Sequence, residues 1–104
     1  MQRINLAQFA EGDSRVYAGV NRGRNAAAVE DLVLVGTNDR IEIHVPEDTI
    51  AVTFSFFCGM FEDIIERLGR DAFETIFTFT GRDISRVIEA ALNDGDRFRR
   101  FKTP

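Results

Sequence analysis

One cysteine, one histidine, one tyrosine and no tryptophan occur among the 104 residues. A lone Cys58 cannot close an intramolecular disulfide or anchor a cysteine-based zinc site. A lone His44 excludes a histidine pair for catalysis or metal binding. No apolar run approaches the ~20 residues of a membrane-spanning helix, and the first residues lack a basic-then-apolar signal pattern. The dinucleotide fingerprint and the lysine-bearing phosphate loop are both missing. So are a nucleophile–histidine–acid set and a metal-ligand cluster. These absences predict a non-enzymatic cytoplasmic protein with no cofactor, no metal and no membrane partner.

What is present describes one folded domain. A composition 44% hydrophobic and 29% charged is too apolar for a disordered chain. Two domains of half this length would each lack a useful core. The net charge is −4, but its distribution is uneven. The last eight residues hold four of the thirteen cations and none of the seventeen acids, which leaves −8 on residues 1–96. The expected organisation is a domain over 1–96 and a basic tail over 97–104, Arg97-Phe98-Arg99-Arg100-Phe101-Lys102. An acidic body argues against nucleic acid as a general partner, because affinity for phosphate backbones comes from neutralising them. Seven of the ten phenylalanines fall between Phe54 and Phe79, which places the densest core there.

Periodicity predicts an α/β chain. Ile4-Asn5-Leu6 and Val16-Tyr17 read as short strands that pair as a hairpin across the turn-prone Glu11–Ser14 segment. Gly19 to Asn25 reads as a loop, and a helix is expected from Ala26 with Val29, Leu32 and Val33 on its apolar side. Ile41, Ile43 and Val45 alternate with Glu42 and His44 as a strand, and Pro46 ends it. Phe57, Met60, Phe61, Ile64, Ile65 and Leu68 mark a helix stopped by Gly69. Phe73 to Phe79 reads as a buried strand and Ile84 to Leu92 as a last helix. Strand–helix–strand alternation implies parallel strands.

In such folds ligands bind beyond the carboxyl ends of strands. That edge gathers Glu47, Asp48, Thr53, Ser55, Thr80, Gly81 and Arg82. Thr53 or Ser55 would cap the second helix, where backbone N–H groups point outward and favour negative charge. A phosphate there would add ~ −1.5 to −2 of charge to a partner-facing surface. Arg22 and Arg24, in a glycine-rich stretch, are candidates for anion binding; with the basic tail they define a second reading, a small anionic-ligand or nucleic-acid binder. A third reading uses Cys58 as a nucleophile with a depressed thiol pKa. Its ordinary alternative is an inert buried cysteine.

The segment Val52-Thr53-Phe54-Ser55-Phe56-Phe57-Cys58-Gly59-Met60-Phe61 resembles the STAS-like family of small bacterial proteins. That family opens a helix with Ser-Ser-Phe, carries a phenylalanine five residues later and ends the helix on glycine. Ser55-Phe56, Phe61 and Gly69 match in place. Ser14-Arg15-Val16-Tyr17 and Gly19 resemble its Gly-Arg-Tyr segment and glycine loop. The resemblance implies an α/β fold with a mixed four-stranded sheet covered by about three helices, in the order β-β-α-β-α-β-α. It further implies a regulatory, protein-interaction role like that of anti-sigma-factor antagonists. In those proteins a serine at the start of the second helix is phosphorylated by a partner kinase of the histidine-kinase-like ATPase type. Carried over, Ser55 or Thr53 is the acceptor, and Glu47, Asp48, Phe54 and Cys58 share the partner surface. The sequence departs where Phe54 replaces the first serine and where Cys58 and Gly59 replace acids. Its shortened end leaves an unpaired sheet edge, which invites a homodimer.

Overall fold

The computed structural model describes residues 2–10 and 15–93. The turn expected over Glu11–Ser14 and the basic tail therefore lie outside the described residues. Strands β1 (Gln2–Asn5), β3 (Ile41–Val45) and β5 (Phe77–Gly81) form a three-stranded sheet in the order β1-β3-β5. Strands β2 (Val16–Tyr17) and β4 (Ala51–Val52) form a separate pair. All pairings are parallel, with Ile4 opposite Ile43 and Ile43 opposite Phe79. The α-helices among the described residues are α1 (Val20–Val29), α2 (Phe54–Leu68), α3 (Arg70–Ile76) and α4 (Ser85–Asn93).

The α/β class and the parallel strands agree with the sequence reading, whereas the mixed four-stranded sheet does not. β1 and β2 form no hairpin: a 3-10 turn over Leu6–Phe9 follows β1 directly, and each strand takes a later parallel partner. Among the described residues four α-helices stand where about three were expected, because Phe73–Phe79 is divided. Phe73 and Ile76, three apart on α3, are buried as a helical pair, and the strand begins only at Phe77. Asp71 at the positive end of α3 and the Arg70–Glu74 pair support a helix that local β-propensity argues against.

The first helix also moves. α1 starts at Val20, not Ala26, so the expected glycine–arginine loop is helical. It ends by Val29, and Asp31 in a left-handed conformation turns the chain into a second 3-10 segment, Leu32–Leu34. Ala26 and Leu32 are buried, but Val29 and Val33 are exposed. Arg67 of α2 holds this segment by donating to the carbonyls of Val35, at 2.9 Å, and Leu32, at 3.4 Å.

α2 is the central element. Phe56, Phe57, Met60, Phe61 and Ile64 are all buried on it, and Gly69 caps its end by donating to Ile65 O. Phe57 and Phe61 meet Phe73 edge-on, and Phe61 does the same to Phe77 and Phe79. Such pairs add about 0.5–1.5 kcal/mol each beyond burial. On the other face of the sheet, Glu42, His44 and Thr80 form a polar line. Thr80 Oγ1 donates to Glu42 at 2.6 Å and lies 3.2 Å from His44 Nδ1, and Arg3 pairs with Glu42 at 3.3 Å.

The backbones of α1 and α2 lie in direct contact. A Cβ added to Gly23 would overlap Phe56 O and lie 2.8 Å from Met60 N; one added to Gly59 would overlap Val20 O. Neither backbone can retreat without moving its helix. Gly59→Ala is therefore expected to cost about 3 kcal/mol, the upper end for overpacking, and to lower the melting temperature by roughly 10–20 °C. Gly36→Ala, where an added Cβ meets nothing within 4 Å, is the near-neutral control. Equal urea midpoints for the two variants would show that the helices are not held this tightly.

Candidate functional site

Parallel pairing of β2 with β4 brings two helix starts together. β2 leads through Ala18 into Gly19, the residue before α1, and β4 leads directly into Thr53, the residue before α2. Thr53 N donates to Tyr17 O at 2.9 Å, which locks one junction onto the other. Thr53 is the helix cap: its backbone is extended and its Oγ1 accepts from Phe56 N at 3.3 Å. Ser55 is the second residue inside the helix. Its Oγ accepts from Gly19 N at 3.2 Å and lies 3.1 Å from Thr53 Oγ1.

Gly19 N can reach Ser55 because Gly19 has φ +93°, a conformation that other residues adopt only with strain. The Ser55 hydroxyl thus sits where the amino-terminal ends of α1 and α2 converge. Both ends carry the partial positive charge of a helix amino-terminus. Ser55 and Thr53 are both half-buried.

The remaining expected residues are dispersed. Phe54, the first residue of α2, is half-buried and packs against the core. Cys58 is 0% exposed, so its thiol has no surface to offer a partner or a substrate. Glu47 and Asp48 occupy the turn after Pro46, at the amino end of β4, whereas Ser55 lies past its carboxyl end. Asp48 pairs with Arg15. Arg24 is held by Glu62 of α2 at 2.7 Å. Arg22 donates to the carbonyls of Phe9, at 3.0 Å, and Val16, at 3.3 Å, and lines a shallow recess beside Gln8 and Asn25. Both guanidiniums, expected to grip an anion, are thus engaged within the fold.

Sequence reasoning missed Gly19 as the donor to Ser55, because the stretch after it reads as a loop. The sequence held no signal for it, because the link depends on the parallel pairing of β2 with β4, two strands of two residues each. No helix among the described residues is long and apolar enough to cross a membrane. Comparison with family models, curated proteins and solved structures finds no significant match.

Tyr17 underlies the junction. It is buried, with its ring edge-on to Phe56 at 5.7 Å. Burial raises its pKa above the ordinary 10.0, and the nearby charges of Arg22 and Arg15 offset this only in part. The raised folded-state value means that stability from Tyr17 is complete below pH ~10 and is lost as pH rises through the folded pKa. As the sole tyrosine in a chain without tryptophan, it can be titrated by phenolate absorbance. The native midpoint should lie above 10.0 and return to the ordinary value in denaturant. A native midpoint at the ordinary value would place the ring in water.

Proposed function

We propose that the protein is a regulatory interaction module, STAS-like in character, that binds a partner protein through the start of α2 and is switched by phosphorylation of Ser55. The observation that carries this reading is the convergence of two helix amino-termini on the Ser55 hydroxyl, with Gly19 N already donating to it. An anion placed there meets N–H donors and favourable dipoles from both helices. Thr53 is less suited as the acceptor, because its Oγ1 caps α2 through Phe56 N. A phosphate on Ser55 would bring three acceptor oxygens to a site that now presents one. It would also reverse the local potential seen by a docking partner.

The partner suggested by the resemblance is a kinase of the histidine-kinase-like ATPase type. Phe54 stands where that resemblance expects a first serine, so the whole switch rests on Ser55. The module itself performs no chemistry in this reading.

The experiment uses the protein isolated from its own cells and two variants. Phosphopeptide mapping should place phosphate on Ser55, not Thr53. Ser55→Asp and Ser55→Ala, used as bait for the partner retained by the wild type, should differ at least tenfold in affinity. Both variants should fold. Ser55→Ala loses an acceptor worth about 1 kcal/mol, while Ser55→Asp keeps one at a helix start that favours acids. Equal affinities together with unmodified Ser55 would remove the switch.

A further inference from the structure

Val29, Val33 and Leu34 are 60%, 64% and 78% exposed, three of the four large exposed apolar residues among the described ones. Single exposed apolar side chains are ordinary, but three within six residues at the end of α1 make a patch. Its backbone is held in place. Leu32 and Val35, on either side of Val33 and Leu34, are buried, and Arg67 donates to the carbonyls of both. The packing that fixes these neighbours therefore turns Val33 and Leu34 outward.

The charge around the patch is negative. Glu30 and Asp31 lie within it, and residues 29–36 contain no cation. Asp31 is exposed and forms no ion pair among the described residues. Arg67, which reaches this stretch from α2, is itself paired with Asp63 at 3.3 Å. A second copy of the chain would lay this acidic stretch against itself, and the −8 carried by residues 1–96 opposes such pairing. The complement of the patch is a segment both apolar and cationic.

The chain holds one such segment. Phe98 and Phe101 stand three apart among Arg97, Arg99, Arg100 and Lys102. None of the eight described phenylalanines is exposed, as expected of a side chain whose burial stabilises by about 1.5–3 kcal/mol. The path to the patch is short as well. Arg70 donates to Asn93 Oδ1 at 3.0 Å, at the end of α4, and Arg67 holds the patch. These two arginines are three positions apart, at most about 11 Å along the backbone. The three residues 94–96 span up to ~10 Å when extended and the six of 97–102 up to ~20 Å, enough to lay both rings on the patch.

We propose that the basic segment 97–102 docks on this patch within the same molecule. Phe98 and Phe101 pack on Val29, Val33 and Leu34, while the four cations face Glu30 and Asp31. Tethering by so few residues favours docking within one molecule over docking between two, because it raises the effective concentration of the segment. The inference is independent of the Ser55 reading: the patch lies about 15 Å along α1 from Gly19, so the docked segment leaves that hydroxyl open.

The test places a spin label on Thr103→Cys in the full chain and follows backbone amide signals by NMR against the reduced label. Cys58 is 0% exposed and does not take the label. The amides of residues 29–34 should lose the most signal. Leu34→Lys should restore them without lowering the melting temperature, since Leu34 contributes little to the core. The double variant Phe98→Ser, Phe101→Ser, with the patch intact, should restore them too. An isotope-labelled chain without the spin label, mixed with spin-labelled chain, should lose no signal at 29–34. The proposal is overturned by full signal at 29–34, by a stronger loss elsewhere in the domain, or by a loss that both variants leave unchanged. Loss in the mixed sample would overturn it too, by showing that the segment docks on a second molecule.

Discussion

The backbone contact between α1 and α2 at Gly23 and Gly59 sets the position of almost everything else. Each glycine lies where the partner helix presents its backbone, so no side chain separates the two. Two helices this close have their starts fixed relative to one another. That is why Gly19, ahead of α1, reaches Ser55, at the start of α2. The Arg24–Glu62 pair bridges the same two helices. It is exposed on the arginine side and adds little; the glycine contact sets the distance, and the ion pair follows from it.

The phenylalanines answer a different demand. α2 must also cover the three-stranded sheet, and with α1 so near on one side its other side has to fill a wider gap. Phe57 and Phe61 do this, interleaving with Phe73, Phe77 and Phe79 from α3 and β5. Small residues on one side of a helix and large ones on the other are the expected consequence of unequal spacing to its neighbours. The same inequality explains Cys58. Between the glycine contact and the phenylalanine layer, it is enclosed completely and behaves as a small core residue.

Much of this was legible in the residue pattern, but unevenly. The stripe from Phe57 to Leu68 and the alternation from Ile41 to Val45 gave α2 and β3 directly, because each follows one period for its full length. Phe73–Phe79 misled because β-branched and aromatic residues there fit a strand locally, while Phe73 and Ile76 are needed by the core at helical spacing. Gly19–Asn25 misled for a similar reason. Glycine lowers helix propensity, so Gly23 reads as a loop residue unless the backbone of a second helix is known to lie against it. The candidate site was half visible: Thr53 and Ser55 stand at the predicted helix start, but their link to Gly19 depends on parallel pairing of β2 with β4, which two-residue strands cannot announce.

On the reading proposed for Ser55, half-burial is compatible with modification, and the magnitudes show why. The hydroxyl is held by one bond from Gly19 N at 3.2 Å and one contact with Thr53 Oγ1 at 3.1 Å. Each is worth about 1 kcal/mol net, so releasing both leaves on the order of a few per cent of molecules with the side chain free. A kinase needs no more than that to find its substrate. Once added, the phosphate faces the ends of two helices, each contributing about 0.3–1 kcal/mol for a nearby charge, with further gain where N–H groups bond its oxygens. Thr53 Oγ1 can join in, because its O–H can turn to donate to a phosphate oxygen while the oxygen still accepts from Phe56 N. The switch would therefore be read at the first turn of α2, where the added charge lies, and hardly at all at Gly59, where the glycine contact holds the helix in place. A partner that distinguishes the two states must then touch that first turn directly, since a helix clamped four residues further on cannot carry the change to a distant face.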